Sequence, residues 1–279
     1  MEPDVDRRPT ERATITRVTG YGPARALALR SDELIVEEPL SIQLDGTVVA
    51  TTMRTPGHDR ELAVGFCLTE GLLGDAPVLG VRHCSDETTR ADESNVVTVD
   101  TGAMAPAPTP RLGNVSSSCG WCGSEQLDEL TARLEPLATT QPIDFDVLGS
   151  IGAAVFDAQG LFAATGSVHA AALFDPSGRV VVTREDVGRH NAVDKVVGAL
   201  ALGEDDLPDL PATGYGLFVS GRASIEMVQK AWAAGCSTLV AVSAPTALAV
   251  DAARRANLVL AGFVRDDGFN LYAPELPDP

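Results

Sequence analysis

The stretch Leu34–Thr52 reads as strands: Ile42, Leu44, Val48 and Val49 flank Asp45-Gly46, a dipeptide that favours a tight hairpin turn. From Arg60 to Leu73 the period changes. Leu62, Ala63, Phe66 and Leu72 recur at near-helical spacing, and Gly71 and Gly74 punctuate the end of the predicted helix. Asn95–Val99 predicts a short strand and Gly102–Pro110 a loop. Ser124–Leu134 predicts a helix with Leu127, Leu130 and Leu134 on one face, and 136–142 reads as a linker. Residues 1–13 read as a flexible tail.

Beyond Phe145 the organisation differs. A helix over Asp146–Phe156 precedes strands over Gly166–Phe174 and Arg179–Arg184, joined by the turn Asp175-Pro-Ser-Gly178. A helix runs through Lys195 to Leu202. Strands Leu217–Ser220, Thr238–Val242 and Val259–Val264 then alternate with helices Ala223–Ala234 and Ala247–Ala256. Such alternation predicts an α/β sheet with helices on both faces, and the boundary between the two parts falls near residue 140.

The chain has 279 residues, 44% hydrophobic and 22% charged, the balance of a globular protein with a buried core. A net charge of −18 argues against tracking a bare phosphate backbone, so nucleic acid is not an expected partner. An anionic small molecule would need a local basic pocket. No stretch is apolar for long enough to span a bilayer, and the charged N-terminus does not resemble a secretion signal. Five cysteines, an odd number, argue against a disulfide scaffold and for a reducing cytoplasm.

Four segments carry candidate chemistry. Cys119-Gly-Trp-Cys122 lies in a run of small residues just before a predicted helix. A thiolate at a helix N-terminus faces the positive end of the dipole, which lowers its pKa from about 8.5 to roughly 7 or below. An accessible thiol of that kind can hold sulfur as a persulfide. Zinc ligation together with His83 and Cys84, a redox pair, and a loop with incidental cysteines are the competing readings. No second CxxC supports the first, and Ser116–Ser118 is a poor strand for the second.

Thr183–Lys195 places Gly188, His190 and Asn191 at a strand-to-helix turn, with Asp186 as the expected N-cap and Asp194 one helical turn beyond His190. The segment is either a ligand-binding turn or a solvated helix start. Ser220-Gly-Arg-Ala-Ser-Ile-Glu226 predicts a second such turn, where Gly221 permits close backbone approach and Arg222 can grip a phosphate; an ordinary strand-to-helix turn is the alternative. Past the last strand, Phe263 can stack on a base and Asp266 or Asp267 can accept from a guanine edge; an ordinary strand and turn is the alternative. With Arg189 and Arg265, these turns form a basic cluster in an acidic chain. No Walker-type phosphate loop is present.

Taken together these residues resemble the FdhD family of formate dehydrogenase accessory sulfurtransferases. The resemblance runs from about Glu37 to Tyr272. It rests on Met53-Arg-Thr-Pro56, Glu61–Phe66 with Glu70-Gly71, Ser118–Gly123, Val168–Phe174, Glu185–Lys195 and Ser220-Gly-Arg222. It implies a cytidine-deaminase-like α/β/α domain over 141–279 and a smaller α+β part over 1–140 that bears the CxxC segment. It implies that Cys119 carries the persulfide with Cys122 assisting, and that a cysteine desulfurase donates the sulfur. The acceptor would be the molybdenum or tungsten bis-guanine-dinucleotide cofactor of formate dehydrogenase, a bound substrate held by Phe263, Val264, Arg265, Asp266, Asp267 and Gly268. No metal of the protein's own is expected, and a homodimer is compatible with the resemblance. Thr165-Gly-Ser167 and Asp266-Asp267 depart from the family's usual residues. Deamination is disfavoured: His169 is followed by Ala170 and Ala171 rather than the proton-moving glutamate, and Ser220-Gly-Arg222 has no cysteine.

Overall fold

The computed structural model describes residues 8–83, 95–107, 123–138, 143–203, 206–265 and 267–276. Among them are three sheets and seven α-helices in a mixed α/β arrangement.

The chain opens with a two-stranded ribbon, β1 (Thr10–Thr19) and β2 (Ala26–Ile35), paired antiparallel along its whole length. The expected tail therefore ends before Thr10, and residues 10–13 belong to a strand. A four-stranded sheet follows in the order β4-β3-β6-β5, from β3 (Glu38–Leu44), β4 (Thr47–Arg54), β5 (Gly80–His83) and β6 (Val96–Asp100). The Asp45-Gly46 turn lies between β3 and β4 as its sequence predicts. Helix α1 (Asp59–Thr69) covers this sheet; Asp59 and Glu61 favour its first turn by facing the dipole. It is shorter than the apolar spacing suggests, because Gly71 takes a left-handed conformation at φ 71° and stops it.

The third sheet has six strands in the order β12-β11-β10-β9-β7-β8. Its centre, β9 (Gly216–Val219), β10 (Thr238–Ala241) and β11 (Val259–Arg265), is parallel. The strands β7 (His169–Phe174), β8 (Val180–Asp186) and β12 (Gly268–Ala273) are antiparallel to their neighbours. Helices α2 (Gly123–Arg133), α5 (Arg189–Ala201), α6 (Ile225–Ala233) and α7 (Ala247–Ala256) pack on one face; α3 (Phe145–Asp157) packs on the other through Leu148, Ile151 and Val155. The prediction of helices on both faces holds. The strand expected from Gly166 begins only at His169, because α4 (Gly160–Thr165) and its left-handed cap Gly166 occupy the start of that stretch.

The two larger sheets are joined by a helix crossing. A Cβ built on Gly65 of α1 would lie 1.8 Å from the Asp194 carbonyl oxygen, and one on Gly198 of α5 would lie 1.8 Å from that of Glu61. Each helix thus presses its backbone against the other where neither has a side chain. Flanking the crossing, Glu61 accepts two hydrogen bonds from Arg184 (2.6 and 2.8 Å) and Asp59 two from Arg54 (2.8 and 2.7 Å).

Candidate functional site

The parallel strands β9, β10 and β11 end at one edge of the six-stranded sheet, and open α/β sheets take ligands outside that edge. Four turns converge there: 187–188 into α5, 220–224 into α6, 242–246 into α7, and the β11–β12 hairpin. The turns after β9 and β10 are stitched together. Ala223 and Pro245 form an isolated parallel bridge, and Ser243 N–H donates to the Gly221 carbonyl at 3.2 Å. Phe263 N–H in turn donates to the Ser243 carbonyl at 3.3 Å.

His169 opens β7 at the same edge, opposite Asp186 at the end of β8. Its Nδ1 lies 3.3 Å from Ser220 Oγ, which accepts the Ala170 N–H at 2.9 Å. Gly221 sits beneath this group: a Cβ there would lie 3.3 Å from Arg189 Cδ and 3.7 Å from His169 Nδ1. Burial, reinforced by the Arg189 charge, lowers the His169 pKa below its ordinary value. His190 is lowered further, to about 4, by burial and then by the Lys230 and Arg189 charges. Both rings are therefore neutral at pH 7 and the positive charge at this edge comes from arginine.

The edge is poor in internal partners. Arg189 Nε, His190 Nε2 and Ser224 Oγ are buried without a hydrogen-bond partner, a state that costs free energy unless a ligand completes it. Helices α5 and α6 both begin here, after Gly188 and Ser224, with no side chain capping them. Uncapped N–H groups and the dipole suit an anion.

The polar run from Thr183 to Lys195 divides in two. Its expected N-cap, Asp186, is instead the last residue of β8, fully buried, and Gly188 is the cap. Asp186 accepts from the N–H groups of Thr55 (3.1 Å) and Gly188 (2.8 Å) and from Asn191 Nδ2 (3.0 Å). Lys195 Nζ, 2.7 Å from Asp186, also donates to the Thr55 carbonyl at 2.9 Å, and Asn191 Nδ2 donates to that of Met53 at 2.7 Å. These groups are a buried clasp between Met53-Arg-Thr-Pro56 and the six-stranded sheet, so the solvated helix start is excluded. Arg189 and His190 are left with open valence.

Of the predicted binding segment, Phe263 has φ 55° and is 44% exposed beside the turns. Val264 is buried in the core behind the sheet. Arg265 Nη1 donates to the carbonyls of Val242 (2.6 Å) and Val264 (2.8 Å), bracing the β10–α7 turn. Asp267 and Gly268 are exposed in the hairpin. Arg222 is exposed at the α6 turn. Asp266, Cys84, Cys119 and Cys122 lie outside the described residues; α2 starts at Gly123, directly after Cys122 in sequence. Ser224 falls within the predicted Ser220–Glu226 turn; Ser243 escapes a reading of the sequence alone, its signal being a serine closely following an apolar strand end.

The architecture defines an α/β protein with an anion-competent site at the carboxyl edge of its larger sheet. Comparison with known proteins makes this specific. Residues 35–276 match the model of the FdhD/NarQ family, and the chain belongs to that family. A protein of Streptomyces avermitilis called sulfur carrier protein FdhD is 45% identical, covering 96% of this chain and 95% of its own. One of the same name from Nocardia farcinica is 44% identical, covering 95% and 94%. A solved structure from Desulfotalea psychrophila, described as a formate dehydrogenase accessory protein, shares the fold. It has a TM-score of 0.68 and 22% identity, covering 94% of this chain and 97% of that one.

Proposed function

We propose that this chain is a sulfurtransferase serving formate dehydrogenase. It takes sulfur from a cysteine desulfurase onto Cys119 and passes it to a molybdenum or tungsten bis-guanine-dinucleotide cofactor held at the carboxyl edge of the six-stranded sheet. The observation that carries this reading is the convergence of four turns on the half-buried Arg189, His190 and Ser224, each with one buried polar atom lacking a partner, beside two uncapped helix starts. The names of the similar proteins supply the sulfur chemistry. Residues 141–279 are read as a deaminase-like fold that holds a base without hydrolysing it, and 1–140 as the part bearing the sulfur carrier.

The chemistry needs two displacements. The Cys119 thiolate attacks the outer sulfur of the donor persulfide; the donor S–S bond breaks and its cysteine leaves as thiolate. Cys122 then attacks the inner sulfur of Cys119, so the outer sulfur departs as sulfide toward the metal and a Cys119–Cys122 disulfide remains for a cellular thiol to reopen. Uncapped α5 and α6 with Arg189 and Arg222 hold the pyrophosphates, Phe263 stacks on guanine, and Asp267 accepts from its edge. Such chemistry belongs in a reducing cytoplasm.

The test is complementation of a bacterial strain lacking its own family member, scored by formate oxidation. Wild type restores activity and Cys119→Ala does not, while Cys122→Ala has an equal or milder effect because external thiols can take its place. Full activity with Cys119→Ala would overturn the sulfur-transfer reading in favour of a cofactor-holding chaperone.

A further inference from the structure

Of the four histidines in the chain, two are paired with carboxylates: His58 with Glu61 at 2.9 Å and His83 with Asp59 at 3.4 Å. His169 has no such partner. Its Nδ1 meets Ser220 Oγ, and its Nε2 makes no hydrogen bond to any described residue. The cross-strand neighbour of His169 is Asp186, but that carboxylate is committed elsewhere. It accepts from Thr55, Gly188 and Asn191 and pairs with Lys195. A protonated His169 would therefore lack a counter-ion within the chain.

What stands beside the imidazole is a guanidinium. A Cβ on Gly221 would approach both Arg189 Cδ and His169 Nδ1, so the two side chains share the space over one backbone position that has no side chain of its own. Arg189 Nε is buried without a partner. Burial and the Arg189 charge disfavour a proton on His169, and Asp186 opposes them. An anion arriving here reverses that balance, because an opposite charge close by favours the imidazolium. Ser220 completes the arrangement. Its Oγ accepts the Ala170 N–H at 2.9 Å and has a second lone pair for an Nδ1–H. In the imidazolium, Nδ1–H donates to that oxygen, which frees both Nε2–H and the Ser220 hydroxyl proton to donate to an oxyanion.

We infer that His169, with Ser220 and Arg189, binds one phosphate of the guanine dinucleotide's pyrophosphate and takes up a proton from water as the phosphate arrives. The inference rests on the reading of this edge as the nucleotide site. Its position agrees with that reading: two backbone hydrogen bonds, Phe263 N–H to the Ser243 carbonyl and Ser243 N–H to the Gly221 carbonyl, link the turn proposed to stack guanine to the turn beside His169. The charged groups facing the imidazole are Arg189 from α5 and Asp186 from β8. Asp186 keeps its internal partners whether or not a ligand is present, so the ligand is the charge that changes. A lysine in place of His169 would repel Arg189 in the empty site, whereas a histidine is charged only when the anion is there.

The probe is GDP-mannose, in which guanosine carries a pyrophosphate diester whose phosphates have no proton to exchange near neutral pH. Its binding to the full chain is measured by calorimetry from pH 6 to pH 8. Heats in two buffers of different ionisation enthalpy, Pipes and Tris at pH 7.2, count the protons. Wild type takes up protons on binding, and its affinity rises as pH falls from 8 to 6. His169→Gln, folded by circular dichroism, takes up none and has a flat pH profile. At pH 6 it binds at least about tenfold more weakly than wild type, the loss of a charge-assisted hydrogen bond, while at pH 8 the two differ little. A merely structural role for His169 would weaken binding equally at both pH values. Wild-type binding without proton uptake overturns the inference and leaves the nucleotide reading standing, and so does a His169→Gln variant that keeps the uptake or the pH slope. The wild-type proton count decides alone if the variant does not fold. Failure of wild type to bind either GDP-mannose or GDP overturns the nucleotide reading and the inference with it.

Discussion

Cys67 and Cys236 are buried, and burial pushes both thiols up to about 12. Neither forms an appreciable thiolate at neutral pH, so neither can carry sulfur. Alkylation of the native protein at pH 7.5 with iodoacetamide, followed by peptide mass mapping, should leave these two cysteines unmodified and label Cys119. Modification of Cys67 or Cys236 at a rate matching Cys119 would contradict the assignment. Phe263 makes the second residue-scale prediction. It packs little, being half-exposed in a hairpin, so Phe263→Ala should barely move the melting temperature. Loss of stacking on one base costs about 1–3 kcal/mol, so GDP affinity should fall by at least about fivefold in calorimetry, and GDP should bind wild type more tightly than ADP. Equal binding of the two nucleotides would remove guanine recognition from the account.

At the scale of elements, the crossing of α1 and α5 is the tightest constraint. Gly65→Ala or Gly198→Ala drives a methyl into a backbone carbonyl that cannot yield without separating two helices. Each should cost about 3 kcal/mol or more, read as a fall in the urea midpoint. Most elements were legible because each has one face against a core: the spacing of Leu62, Phe66, Leu127 and Leu130, or of Leu148, Ile151 and Val155, reports burial directly. The ribbon was not legible for the same reason reversed. Thr14, Ile15, Thr16 and Val18 have strand propensity, but with both outer faces wet there is no contrast between buried and exposed positions to set a period. Helix α4 was missed because its start is secured from afar: Glu185 accepts from the N–H groups of Leu161 and Phe162, both at 2.8 Å. In the site, the turns at Gly188 and Gly221 could be read from strand-to-helix punctuation. Which polar residues of 183–195 clasp the two sheets and which face a ligand could not, because their partners, Met53 and Thr55, lie more than a hundred residues away.

For the molecule as a whole, the ion pairs flanking the α1–α5 crossing tie stability to carboxylate charge. Burial opposes ionisation of Asp59, but hydrogen bonds from His83 and Arg54 outweigh it and hold the pKa at about 2; Glu61, paired with Arg184 and His58, is likewise about 2. Both lie below their ordinary values of 3.8 and 4.5. Their contribution is therefore complete above the ordinary carboxylate range and is lost as pH falls through it toward about 2. Urea midpoints should drop steeply over that window. Glu61→Gln should lower stability at neutral pH by about 3 kcal/mol, since it leaves Arg184 facing a neutral amide, and should flatten the acid decline; an unchanged decline would place the acid-sensitive group elsewhere. The clasp around Asp186 holds the sheet at whose carboxyl edge we propose the cofactor binds, and the central claim is that sulfur reaches that edge by way of Cys119. The most direct measurement is mass spectrometry of the protein after incubation with a cysteine desulfurase and cysteine. The account predicts that the peptide containing Cys119 gains the mass of one sulfur atom, that dithiothreitol removes it, and that Cys119→Ala never acquires it. Sulfur appearing on another cysteine, or none at all on Cys119, would contradict it.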